Sequence, residues 1–98
     1  MALAMLSQPR FQAGHVVMTM GVNDLVQRGA FNPGPYLRRH LSGDWGDLCD
    51  DDRHQNDAAL KSGEDRLFSS YRVTNDLKLW IITEWDRSVT TLLLPEEY

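Results

Sequence analysis

The spacing of apolar side chains changes character two-thirds of the way along this chain. Residues 66–74, 78–85 and 89–94 are dense in β-branched and aromatic side chains, the composition of strands rather than of helices. Between them stand Asn75-Asp76 and Asp86-Arg87, polar pairs suited to tight hairpin turns. The pattern predicts a three-strand meander. With a two-residue loop at each turn, Tyr71 falls across from Trp80 and Ile81 across from Leu92. One face then gathers Phe68, Leu79, Ile81, Leu92 and Leu94, and the other Leu67, Tyr71, Val73, Trp80, Ile82 and Leu93, because strand side chains alternate. Both faces are apolar, whereas the short helices upstream are enough for only one. The spare face predicts either a sheet curled around its own core or a homodimer contact through Tyr71, Trp80 or their neighbours.

Upstream the pattern is shorter and more broken. His15-Val16-Val17-Met18-Thr19-Met20, between Gly14 and Gly21, reads as a first strand. Asn23 is placed to cap a short helix carrying Leu25 and Val26, with Gly29 as its stop. Asn32-Pro33-Gly34-Pro35 forms a turn, and Pro35 opens a second helix in which Tyr36, Leu37, His40 and Leu41 share a side before Gly43. A third helix is expected over residues 48–62, capped by Asp47 and closed by Gly63; Leu48, Cys49, Ala59 and Leu60 give it only a thin apolar stripe. Most of its surface therefore faces water or a partner. Residues 1–13, interrupted by Pro9, are expected to be a loosely ordered start. The whole predicts one domain over residues 1–98 of α+β class. Its sheet has four strands, mainly antiparallel, in the order strand, three short helices, three-strand meander, with the helices on one face.

Charge sharpens this picture in one place. Asp44, Asp47, Asp50, Asp51, Asp52, Asp57, Glu64 and Asp65 face only Arg53 and Lys61 within their segment, a net charge of −6 in a chain of −4. Arg38-Arg39 is the densest basic cluster. Direct nucleic-acid binding is therefore not expected, and a protein with a basic, nucleic-acid-binding surface is the expected partner. At 98 residues the chain has room for one modest core. No apolar run approaches the ~20 residues of a membrane span. Met1–Leu6 lacks a basic leader and a cleavage site, so no membrane association and no export are expected. Cys49 is the one cysteine, which excludes an intrachain disulfide and zinc-ligand spacing and suits a reducing cytoplasm.

Three sets of residues carry candidate chemistry. Asp50, Asp51 and Asp52 favour the positive end of the third helix dipole. With Asp44, Asp47 and Asp57 they also make an acidic surface able to imitate phosphates to a basic partner. They lack the alternating carboxylates, central glycine and closing glutamate of an EF-hand. No metal or other cofactor is expected. The second set, His40, Asp44 and Asp47 beside Trp45, could join Glu84, Asp86 and Arg87 in a polar pocket, the raw material of acid–base chemistry or ligand binding. Against this, His40 lies on the apolar side of its helix, where a histidine bonded to the aspartate beyond the helix end is the simpler role. Trp45 is expected as a core anchor, with an exposed hot spot the other reading. In the third set, Arg87 pairs with Glu84 or Asp86 across an exposed turn. No Gly-x-Ser-x-Gly, Cys–His signature or phosphate-cradling glycine loop is present, so an enzyme has no positive support.

His40-Leu41-Ser42-Gly43-Asp44-Trp45-Gly46-Asp47-Leu48 and residues 82–98, from Ile82-Thr83-Glu84-Trp85-Asp86-Arg87 to Pro95-Glu96-Glu97-Tyr98, resemble a family of small, functionally uncharacterised bacterial proteins. These proteins, often labelled plasmid-related, occur on plasmids and integrated mobile elements. The resemblance spans roughly residues 11–98. It implies a setting, that of a mobile element's accessory protein, where inhibitors of host defence such as anti-CRISPR or anti-restriction proteins are common. It implies no catalytic residues.

Overall fold

A computed structural model of the chain describes residues 9–98. The elements run β1 (His15–Met18), α1 (Met20–Gln27), α2 (Gly34–Leu41), α3 (Asp50–Ser62), β2 (Leu67–Thr74), β3 (Leu77–Thr83) and β4 (Val89–Leu93), followed by a 3-10 turn over Pro95–Glu97. The fold is α+β, and its single four-stranded sheet has the order β1-β4-β3-β2. β2, β3 and β4 form the antiparallel meander, and β1 lies parallel to β4 at the edge. The sheet is therefore mixed.

Local chemistry explains where the helices begin and end. α1 is capped by Thr19, not Asn23: Thr19 is extended (φ −67°, ψ 165°) and its hydroxyl accepts from the Val22 amide. The first strand ends at Met18 for the same reason. Glu97, from the far end of the chain, adds a second cap by accepting from the Gly21 amide (2.9 Å) and the Thr19 hydroxyl. α3 starts at Asp50, two residues later than expected, and its cap position is Cys49 with no side-chain bond. Asp47 is engaged elsewhere. Gly63 closes α3 in the left-handed conformation (φ 73°) and donates its amide to the Ala59 carbonyl.

The meander carries one correction. Ile81 does pair with Leu92, but Tyr71 pairs with Leu79, and Ser70 with Trp80. The cause is a β-bulge between Arg72 and Thr74, which leaves Val73 unpaired and shifts β2 by one residue. A one-residue slip flips every side chain of the strand. Leu67 and Tyr71 thus join Leu79, Ile81 and Leu92 on the helix side, and Phe68 moves to the face of Trp80. Val22, Tyr71, Leu79, Ile81 and Leu92 form the main core, packed by Val26, Phe31, Tyr36 and Leu37 of α1, α2 and the turn between them. A second cluster of Trp45, Ala59 and Leu67, joined by Phe11, Leu48 and Leu60, seats α3.

The opposite face is not bare. Ile82 and Leu93 are buried there. Phe68 meets Trp80 edge-on at 5.0 Å, and Tyr98 meets Trp80 at 5.7 Å with the Arg66 guanidinium over its ring. Of the expected loose start, residues 1–8 lie outside the described residues. Arg10, Phe11 and Ala13 are tied in: the Arg10 amide donates to Leu41, Phe11 joins the second core, and the Ala13 carbonyl accepts from Thr90.

Candidate functional site

The acidic segment divides into carboxylates that bind their own chain and carboxylates that face outward. Asp44 accepts from Arg39 Nε (2.7 Å) and Nη2, and also from the Gly46 amide. The Arg39 contact holds the Asp44 carboxyl below its ordinary range, and it raises the guanidinium in turn. Asp47 accepts from the Arg72 amide (3.0 Å), and Asp57 from the Trp45 indole N–H (2.9 Å). Asp44 thus fastens the loop to α2, Asp47 fastens it to the sheet, and Asp57 holds the indole on α3. Asp50, Asp51 and Asp52 are exposed in the first turn of α3. Among the described residues they have no salt-bridge or side-chain hydrogen-bond partner. Successive helix positions differ by ~100°, so the three carboxylates fan around the tip of α3. Asp52 also borders a shallow groove of about 520 Å³ between α3 and β2, shared with Asn56, Arg66 and Phe68.

The loop fastened by Asp44 and Asp47 has a structural task at the β2 edge. Outward backbone groups there are met one after another. The Asp47 amide donates to the Ser70 carbonyl, the Ser70 amide to the Trp45 carbonyl, and the Arg72 amide to the Asp47 side chain. Asn56 completes the edge: its Nδ2 donates to the Phe68 carbonyl and its Oδ1 accepts from the Phe68 amide. Gly46 makes the close approach possible, since a Cβ there would stand 2.1 Å from the Ser70 carbonyl oxygen and the backbone has φ +77°.

His40, Trp45 and Arg87 are brought together, but not around an open pocket. His40 and Trp45 are 0% and 3% exposed. Phe11 stands against both rings, 5.3 Å from His40 and 6.3 Å from Trp45, and the Arg87 guanidinium lies over it. The hydrogen bonds of His40 form a chain with a direction. The Thr90 hydroxyl donates to the Ala13 carbonyl (2.7 Å), so it accepts from Thr83 (2.7 Å). Thr83 therefore accepts from His40 Nε2 (2.9 Å), and His40 Nδ1 accepts from the Ser69 hydroxyl. The chain of hydroxyls places a proton on Nε2, and burial keeps the ring neutral, which leaves Nδ1 as the acceptor. Burial, with a smaller contribution from the Arg87 charge, lowers the His40 pKa to about 3. Its partners are hydroxyls on the sheet, not the aspartate beyond its helix.

Glu84 and Asp86 do not converge on this cluster. Both are exposed at the β3–β4 turn. Asp86 accepts from the Ser88 amide and hydroxyl, which lowers its pKa. Arg87 pairs with neither acid. It donates to the carbonyls of Asp65, Glu84, Trp85 and Ala59, joining the turn to the C-terminal end of α3, and it adopts φ 60° to do so. Trp85, 62% exposed, is a surface aromatic that the sequence pattern assigned to a strand end; its place between Glu84 and Asp86 at a turn was the signal. Among the described residues no three His, Cys, Asp or Glu side chains could hold a metal ion together, and no helix is long and apolar enough to cross a membrane. Comparison with protein-family models, with curated proteins and with solved structures finds no match to this chain.

Proposed function

We propose that this chain is a non-enzymatic protein-interaction module of a mobile genetic element, an inhibitor of host defence of the anti-CRISPR or anti-restriction kind. It acts by covering a basic surface of its partner. The observation that carries this reading is the division among the aspartates. Asp44, Asp47 and Asp57 are held by Arg39, the Arg72 amide and the Trp45 indole, whereas Asp50, Asp51 and Asp52 point outward around the tip of α3. An exposed cluster of like charge accelerates encounter with a surface of opposite charge and discriminates against acidic ones. The positive helix end offsets part of the repulsion among the three carboxylates.

The enzyme reading loses its central group. A general base must reach a substrate proton, and His40 is fully buried with both ring nitrogens engaged. Affinity capture from extracts of a host carrying such a defence system tests the proposal. A stoichiometric nucleic-acid-binding protein, released by salt and missing from a capture with Asp50, Asp51 and Asp52 replaced by asparagine, supports it. A bound metabolite in the purified protein, with no such partner, contradicts it.

A further inference from the structure

The two edges of the sheet are finished differently. At β2 the Asn56 amide, the loop over residues 45–47 and the Asp47 carboxylate occupy the outward backbone groups of Phe68, Ser70 and Arg72. At β1 the His15 amide donates to Ser88 and the Thr19 amide to Leu92, so the odd-numbered residues face β4. The N–H and C=O of Val16 and Met18 therefore point away from the sheet. Among the described residues nothing pairs with them. The side chains are apolar and half exposed: Val16 46%, Val17 44% and Met18 40%, with Met20 at 88%. From Phe11 to Asn23 the chain has no charged residue and no proline, the devices that ordinarily keep an edge from pairing.

We propose that β1 pairs antiparallel with β1 of a second copy about a twofold axis, joining two sheets into one of eight strands. The outward groups decide the register. Only outward-facing residues exchange bonds, and the register that engages both of them in each copy sets Val16 opposite Met18 of the second copy and Met18 opposite its Val16. Each pair exchanges both its bonds, and Val17 meets its own copy on the axis. Every contact is then apolar against apolar. Charge favours this edge over the other. α3 packs against β2, three strand spacings of ~4.8 Å from β1, beyond the ~8 Å over which charges act at physiological salt. The two acidic tips thus meet no repulsion. A four-residue edge buries less than the ~1,200 Å² of a tight interface, which places the dimer among weak, concentration-dependent ones.

Sedimentation equilibrium from about 10 μM to about 1 mM, with amide exchange read residue by residue, tests this. The mass should rise from 11.2 kDa toward twice that value, with the Val16 and Met18 amides gaining protection in step. Val16→Pro removes one outward donor and no ladder bond, a substitution edge strands tolerate; Val17→Lys sets two like charges on the axis. Both variants should stay at the monomer mass with an unchanged urea midpoint. A wild-type mass of 11.2 kDa throughout overturns the proposal, as does a dimer that survives Val16→Pro. If Val16→Pro does not fold, exchange in the wild type decides: a dimer whose Val16 and Met18 amides stay unprotected uses another surface.

Discussion

His40 Nε2 stands 2.9 Å from the Thr83 hydroxyl, 43 residues away in the chain, and neither residue reaches solvent. Through Thr90 and the Ala13 carbonyl this contact ties α2 to β3, β4 and the segment before β1. Burial favours the neutral imidazole here, and in that form the ring donates from Nε2 to Thr83 and accepts at Nδ1 from the Ser69 hydroxyl.

Stability should therefore depend on pH through His40. The unfolded chain takes up the proton near pH 6.5, and the folded protein only near 3. The unfolded state thus binds more protons between these values. Stability is complete above about pH 6.5 and falls as the pH drops toward 3, by at most about 1.4 kcal/mol per pH unit. The lowered carboxyls of Asp44, Asp86 and Glu97 lose their contributions at lower pH, which leaves the interval from about 4.5 to 6.5 to the histidine. Urea midpoints across that interval should slope in the wild type and be flat in His40→Asn. Ring nitrogen shifts at pH 7 should place the proton on Nε2.

Removing the edge clamp should destabilise without touching a core side chain. Asn56→Ala strips partners from the Phe68 N–H and C=O, and each unmet buried backbone group costs about 1–3 kcal/mol. Asn56→Asp keeps the acceptor and loses the donor, so its urea midpoint should fall between those of the wild type and the alanine variant. An alanine variant as stable as the wild type would show that water replaces the clamp.

Arg87 should behave as a structural cation. Lysine cannot reproduce a planar fork that reaches four carbonyls, so Arg87→Lys should be destabilised along with Arg87→Ala, the latter by ~2–4 kcal/mol. Loss of the charge should also raise the His40 pKa, because Arg87 is one cause of its depression. Followed by its own ring signals, the titration of His40 should move to higher pH in Arg87→Ala than in the wild type.

Much of this architecture is legible in the amino-acid order, and the exceptions have physical causes. The three strands of the meander follow from β-branched composition, and Gly63 from its left-handed stop. The bulge at Val73 left no local signal, since a valine suits a paired and an unpaired position equally. One extra residue nevertheless moved Tyr71 from the expected spare face into the core. Asn23 and Thr19 are both good caps by residue type; the structure uses Thr19, whose hydroxyl also donates to Glu97, distant in sequence. Phe11 was hidden by the weak pattern of the first residues, yet it fills the space where His40, Trp45 and Arg87 would otherwise have framed a pocket. Asp44, Asp47 and Asp57 could not be told from Asp50, Asp51 and Asp52 by composition, because their partners lie on α2, on β2 and in the Trp45 loop.

The proposed function makes the outward aspartates matter more for association than for folding. Exposed charges in a first helical turn contribute ~0.3–1 kcal/mol each, and replacing Asp50, Asp51 and Asp52 by asparagine also removes their mutual repulsion, so the triple variant should lose at most ~1–3 kcal/mol and stay folded. The most direct measurement is the association rate constant with the captured partner, for wild type and triple variant, at two ionic strengths. The wild-type rate should fall steeply with added salt, and the variant should associate at least ~10-fold more slowly at low salt with little salt dependence. Equal rates for the two proteins, unchanged by salt, would contradict the account and leave the three aspartates as stabilisers of a helix start.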